Sequence, residues 1–185
     1  SASICIIRNY ITQPGTAQHR MSIIYLKLMY FANRQNLSII TKMENNELLK
    51  EIEHLKKKND ALILVHSYQN MDVQSIADYV GDSLGLCIQA SKTDARVIVF
   101  CGVTFMAESA KILNPDKTVL LPEVKAGCPM ADMADAAAVL EKRNQYAQPF
   151  VLSYVNSTAE VKAVSDLCCT SSNALEMVKS VPAGK

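Results

Sequence analysis

The side chains suited to chemistry stand where short apolar runs give way to polar residues. His66 and Tyr68 follow the run Ala61–Val65, and Ser83 follows Gly81-Asp82. Cys128 lies between Gly127 and Pro129, Tyr154 and Asn156 close the run that starts at Phe150, and Ser171 sits in Thr170-Ser171-Ser172-Asn173. An imidazole at a strand end can serve as a catalyst. Hydroxyls at helix starts can join free backbone N–H groups in holding a carboxylate or phosphate. A thiol in a loop has little packing reason to be there, which favours metal ligation or reactivity. Plainer readings stand beside these. A strand-end histidine is a satisfied core residue as readily as a catalyst, so His66 alone decides little. Capping alone explains Gly81-Asp82-Ser83 and Thr170-Ser171-Ser172-Asn173. Cys87 and Cys101 read as small core residues, and His19 and His54 as surface residues. Neither a C-x-x-C nor a histidine pair is present, so spacing alone establishes no metal site.

The elements that must position these groups are legible from periodicity. Glu47–Lys58 places Leu48, Leu49, Ile52 and Leu55 on one helical face. Ala61–Val65, Arg96–Phe100 and Thr118–Leu121 are short continuous apolar runs of the kind found in buried parallel strands. Helices are expected over Val73–Val80, Ser83–Lys92, Phe105–Leu113 and Ala131–Arg143. A strand over Phe150–Tyr154, a helix over Thr158–Ser165, a strand over Leu167–Thr170 and a helix over Asn173–Val181 complete the series. Strands alternating with helices predict an α/β fold, a parallel sheet covered on both faces. In such sheets ligands bind beyond the carboxyl ends of the strands, where the residues named above stand. A faint internal echo sets Ser67-Tyr68 beside Ser153-Tyr154 and Ser83 beside Ser171, which places a boundary between two copies near residues 128–148.

Composition bounds the rest. The chain of 185 residues is 49% apolar and 20% charged, a globular composition rather than a disordered one. Lys+Arg 19 against Asp+Glu 18 leaves +1, so no whole-chain field draws nucleic acid or an anionic membrane. Six cysteines are too sparse for a disulfide-stapled mini-protein, and reduced thiols in a cytoplasmic setting are expected. Residues 1–42 carry apolar runs broken by Lys27 and Arg34, too short for a membrane span and lacking a signal-peptide cleavage pattern. Met43-Glu44-Asn45-Asn46 looks like a natural start, so residues 1–42 read as an extraneous extension, residues 43–140 as a first α/β domain, and 141–185 as an incomplete second one.

From Leu64 to Val181 the chain resembles the quinolinate synthase family. The motifs that carry the resemblance include His66-Ser67-Tyr68-Gln69, Ile76-Ala77-Asp78-Tyr79-Val80-Gly81-Asp82-Ser83-Leu84 and Val97-Ile98-Val99-Phe100-Cys101-Gly102-Val103. Phe105 to Leu113, Ala126-Gly127-Cys128, Tyr154-Val155-Asn156-Ser157 and Cys169-Thr170-Ser171-Ser172-Asn173-Ala174 continue it in order.

The resemblance implies three homologous three-layer α/β/α domains with short parallel sheets in a pseudo-threefold arrangement, of which this chain is an N-terminal fragment lacking the third. It implies condensation of iminoaspartate with dihydroxyacetone phosphate to quinolinate, phosphate and water in NAD biosynthesis, with a functional link to L-aspartate oxidase. It also implies a 4Fe–4S cluster acting as Lewis acid, with Cys128 as one thiolate and the other ligands beyond Lys185. His66 and Tyr68 then match catalytic residues, and Ser83, Tyr154, Asn156 and Ser171 substrate-binding ones. The fragment alone is expected to be inactive. The residues by themselves also accommodate a non-catalytic α/β domain that binds a small phosphorylated or dicarboxylic ligand, or an inert truncated product.

Overall fold

The computed structural model describes residues 39–184. The expected extension over residues 1–42 lies outside the described residues except for its last four, which open helix α1 (Ile39–Asn59). The described residues as far as Ala126 form one compact unit, and those from Gly127 onward a second.

In the first unit the central strand is β1 (Ala61–His66), because Ile63, Leu64 and Val65 are apolar on both faces and fully buried. It pairs in parallel with β2 (Tyr79–Gly81) on one side and β3 (Val97–Cys101) on the other. Strand β4 (Thr118–Leu120) extends the sheet in the order β2-β1-β3-β4. On one face α1 sets Ile52, flanked by Leu48, Leu49 and Leu55, against Ile63, Val65, Val99 and Cys101. Full burial of one such aliphatic side chain contributes about 1.5–3 kcal/mol. Strand alternation sends Leu64, Ile98 and Phe100 to the opposite face, which α3 (Ser83–Lys92) and α4 (Thr104–Leu113) cover while packing on each other. At the exit from β3, a Cβ on Gly102 would stand 2.9 Å from Met106 Sδ and 3.1 Å from Phe100 Cε1, so the chain turns there without a side chain. Among the described residues no helix is long and apolar enough to cross a membrane.

The second unit holds α5 (Ala136–Arg143), β5 (Leu152–Tyr154), α6 (Ala159–Ala163), β6 (Leu167–Cys169) and α7 (Ala174–Lys179), with β5 and β6 in parallel. Its strand pair is held by the same bonds as β1 and β2, 88 residues later. In the first unit, the Asp78 N–H donates to the Ile63 carbonyl at 2.9 Å and Asp78 Oδ2 accepts the Ile63 N–H at 2.7 Å. Lys56 Nζ stands 2.7 Å from the other carboxylate oxygen. In the second, Asp166 makes the same two bonds to Val151 at 2.9 and 2.8 Å, and Arg143 stands 3.0 Å from its Oδ1. The helix between the strands starts alike in both: Asn70 caps α2 (Met71–Gln74) by accepting from the Val73 N–H, and Thr158 caps α6 by accepting from the Val161 N–H. Gln74 then donates to the Gln69 carbonyl as Lys162 does to that of Ser157.

The structure thus bears out a repeated unit and corrects its alignment. Bonded register sets His66 against Tyr154, Tyr68 against Asn156 and Ser83 against Ser171. The letter match of Ser67-Tyr68 with Ser153-Tyr154 is two residues out, because the residues that make the equivalent bonds differ in type. Two expected helices also change. Val73–Val80 is one turn of helix, α2, followed by strand β2, because Ile63 captures Asp78 and draws residues 79–81 into the sheet. The helix expected over Ala131–Arg143 begins at Ala136, where Asp135 Oδ1 accepts the Ala138 N–H at 2.7 Å and caps it.

Removing either aspartate strands a backbone N–H, that of Ile63 inside β1 or of Val151 just before β5, a loss of about 1–3 kcal/mol. Asp78→Ala and Asp166→Ala are expected to destabilise by that amount in urea denaturation and to speed hydrogen exchange at Ile63 and Val151 respectively. Unchanged exchange at those amides would show that the clamp does not hold the strands. Burial lowers the Lys56 pKa, but Asp78 and Glu53 outweigh it and hold the ammonium above its ordinary 10.5. A raised folded-state pKa contributes stability that is complete below the ordinary value and lost as pH climbs through the raised one. The stability gap between wild type and Lys56→Met should therefore hold steady at neutral pH and narrow above about pH 10.5; a gap that stays constant to pH 12 would rule out the pairing.

Candidate functional site

His66 ends β1 and is 7% exposed, its backbone fixed opposite Gly81 in the β1–β2 register. Its Nδ1 accepts the Tyr68 N–H at 3.2 Å, which leaves Nε2 to carry the proton of the neutral ring. Burial pulls the imidazole pKa below its ordinary 6.5, and the nearby Asp82 carboxylate works against that pull. The Tyr68 ring lies 4.7 Å from the His66 ring at a 58° tilt and is 92% exposed, so its phenol faces solvent rather than core. The Ser67 N–H donates to the Gly81 carbonyl at 3.0 Å, which brings the chain leaving β1 beside the chain leaving β2. Asp82 then caps α3 by accepting the Gly85 N–H at 2.8 Å, and half-buried Ser83 is the first residue of that helix. The structure therefore brings His66, Tyr68 and Ser83 to the shared end of β1 and β2, a pairing absent from the sequence-based expectation of a helix over Val73–Val80.

The second unit builds its counterpart from neutral groups. Tyr154 ends β5, and its hydroxyl lies 3.2 Å from Ser171 Oγ. Asn156 is half-buried in the loop after β5, where Ser157 Oγ donates to the Tyr154 carbonyl at 2.7 Å. Across from it, Asn173 Oδ1 accepts from the Thr170 N–H and hydroxyl at 2.7 and 2.9 Å, and the Thr170 and Ser172 hydroxyls are 2.9 Å apart. Tyr154 and Ser171 are thus in contact, with Asn156 on the adjoining loop. Sequence reasoning treats Asp82 only as a helix cap; its charge beside His66 becomes visible through the 66–81 strand register.

The cysteines sort by burial. Cys87 and Cys101 are core residues, and burial pushes the Cys101 thiol up to about 12. Cys168 Sγ and Ser153 Oγ lie 3.4 Å apart within the β5–β6 pair. Cys128 is a free, half-buried thiol in the loop beyond β4. Two residues before it, the Ala126 carbonyl is held by both the N–H and the hydroxyl of Thr104, at 2.9 and 3.0 Å. Among the described residues no group of three or more His, Cys, Asp or Glu side chains could hold a metal ion. A cluster held by several thiolates does not fit these residues alone; Cys128 suits at most one place in a larger ligand set.

A family model described as quinolinate synthetase A protein matches residues 50–185. The quinolinate synthase of Pelobacter propionicus is 58% identical over 138 residues, 75% of this chain and 45% of that protein. That of Thermodesulfovibrio yellowstonii is 59% identical over 137 residues, 74% of this chain and 45% of its own length. In Microcystis aeruginosa the figures are 54% over 138 residues, 75% and 43%. The chain therefore spans somewhat under half the length of the relatives it matches.

The exposure of Tyr68 and Tyr154 separates a binding role from a structural one. Tyr68→Phe should leave stability within about 0.5 kcal/mol of wild type, and Tyr154→Phe, which loses one hydrogen bond, should cost no more than about 1 kcal/mol. Thermal denaturation measures both. Unfolding of either variant would make that tyrosine a structural residue.

Proposed function

The chain belongs to the quinolinate synthetase A protein family, and we propose that the protein containing it condenses iminoaspartate with dihydroxyacetone phosphate, releasing quinolinate, phosphate and two waters in NAD biosynthesis. One observation supports this above the others: the family match runs through both units and takes in the two strand ends where the candidate side chains meet. The reaction moves protons between carbon and oxygen and expels water, while two carboxylates must be held. In this reading the neutral His66 ring, fixed by the Tyr68 N–H on Nδ1, donates a hydrogen bond from Nε2–H to a substrate oxygen. Full transfer of a proton requires the imidazolium, which gives up the Tyr68 N–H bond. The exposed Tyr68 phenol orients substrate above that ring. Ser83 offers a hydroxyl at the same strand end. Tyr154 and Ser171, already in contact, offer two neutral hydroxyls to a carboxylate, with Asn156 beside them.

Cys128 is proposed as one thiolate of a 4Fe–4S cluster whose other ligands lie outside these 185 residues. When bound, such a cluster would supply Lewis acidity. A cytoplasmic setting and an imine supplied by L-aspartate oxidase belong to the same reading. The second unit is proposed to be part of a larger domain, and the 185-residue chain alone is expected to be inactive.

An anaerobic assay of the complete protein with both substrates tests the proposal. His66→Ala should lower kcat by about 10²–10⁴-fold, the range for a positioned acid–base group. Ser171→Ala should act mainly on KM. The chain ending at Lys185 should give no quinolinate above a protein-free control. Near-normal turnover in His66→Ala, or quinolinate from the short chain, would overturn the corresponding assignment.

A further inference from the structure

We propose that Asp82 is a positioning residue that acts through His66, its carboxylate standing as a fixed negative charge at the shared end of β1 and β2. The inference rests on the reading of His66 as a proton-transfer group. Geometry carries it first. His66 is the register partner of Gly81, and the Ser67 N–H on the Gly81 carbonyl ties the two exits together, so residue 82 leaves the sheet beside residue 66. The carboxylate does not swing freely, because Oδ1 is held by the Gly85 N–H at 2.8 Å.

Capping does not require the charge. Asn and Ser cap a helix as well as Asp does, and the helix dipole favours a negative charge there by a modest amount, so a neutral cap would also serve the helix. The repeat makes the same point independently. Where the first unit has His66 and Asp82, the second has Tyr154 and Thr170 at the equivalent positions. The carboxylate is present in the copy that has an imidazole and absent from the copy that has a phenol.

The other titratable groups near His66 do not replace it. Tyr68 lies on the same loop, Cys101 closes β3 one strand away with its thiol held neutral, and Asp72 sits on α2. The Lys56–Asp78 pair grips the strand pair at Ile63, three residues upstream of His66. Burial favours the neutral imidazole, and Asp82 offsets that tendency. Protonating Nδ1 would add a buried charge and give up the Tyr68 N–H bond, and the fixed carboxylate offsets part of that cost.

The test is a pH titration of His66 by NMR in the complete protein, with ring-labelled histidine and the resonance assigned by its loss in His66→Gln. Asp82→Asn and Asp82→Ser should keep the wild-type circular dichroism and lower the His66 pKa by about half a unit or more. In wild type the same downward shift should appear as salt is raised, since screening weakens the pair; this arm needs no variant. The neutral ring should show the Nε2–H tautomer throughout. A His66 pKa unmoved both by folded Asp82 variants and by salt overturns the proposal. The acid limb of kcat/KM should follow the NMR shift. If it stays put while the NMR pKa moves, the proton-transfer reading of His66 fails and the charge coupling stands.

Discussion

Both units depend on one interaction: an aspartate at the start of a strand that takes the backbone N–H of a neighbouring parallel strand. Asp78 does this to Ile63 and Asp166 to Val151, and each also donates its own N–H to the same residue's carbonyl. A parallel pair three residues long has few ladder bonds with which to choose its register, and a slip of one residue would turn every side chain to the other face. The carboxylate settles the choice, because it accepts the backbone N–H of one set residue, Ile63 or Val151. A basic residue on the preceding helix, Lys56 or Arg143, then secures the second oxygen and ties that helix to the pair.

The clamp lies at one end of each strand pair and the candidate site at the other. With the register fixed at Ile63–Asp78, His66 must fall opposite Gly81, and Ser83 must open the helix that follows. Register at Val151–Asp166 likewise puts Tyr154 opposite Cys169, within reach of Ser171. The scaffold is repeated while the groups it presents are free to differ. Loops at strand ends tolerate such changes because their side chains are not core.

Much of this was legible in the sequence, and the limits have physical causes. The buried strands Ala61–Val65 and Arg96–Phe100 stand out because both faces are apolar, and the α1 stripe Leu48, Leu49, Ile52 and Leu55 because helical spacing exposes it. Strand β2 was not legible. Tyr79, Val80 and Gly81 form an edge with little burial, and their place depends on a bond from Asp78 to a residue 15 positions earlier. The repeat was visible as an echo that set Ser83 beside Ser171 in register but Ser67-Tyr68 two residues out, since Lys56 and Arg143, Asn70 and Thr158, and Gln74 and Lys162 do equivalent work with different letters. The strand-end rule singles out His66, Tyr68, Tyr154, Asn156 and Ser171 without contact information, whereas Ser83 enters only as a helix start because the segment before it reads as helix. It could not find the charge of Asp82, because only the pairing of His66 with Gly81 brings that carboxylate to the imidazole.

The two strand ends differ in a way that bears on what each can do. In the first unit a buried imidazole and a fixed carboxylate share the end of the pair. A negative charge there favours a proton and repels an anion, so this end suits proton transfer better than carboxylate binding. In the second unit the corresponding end has Tyr154, Thr170 and Ser171, hydroxyls that donate hydrogen bonds and carry no repelling charge. Neutral donors lose less hydration energy on burial than charged ones, which suits them to hold an anion that must later leave. In the proposed reading Ser83, one residue from Asp82, would be the weaker carboxylate ligand of the two equivalent serines, and Ser171 the stronger. The repeat supplies a common frame, and Thr170 in place of Asp82 would then divide proton handling from anion holding between the two copies.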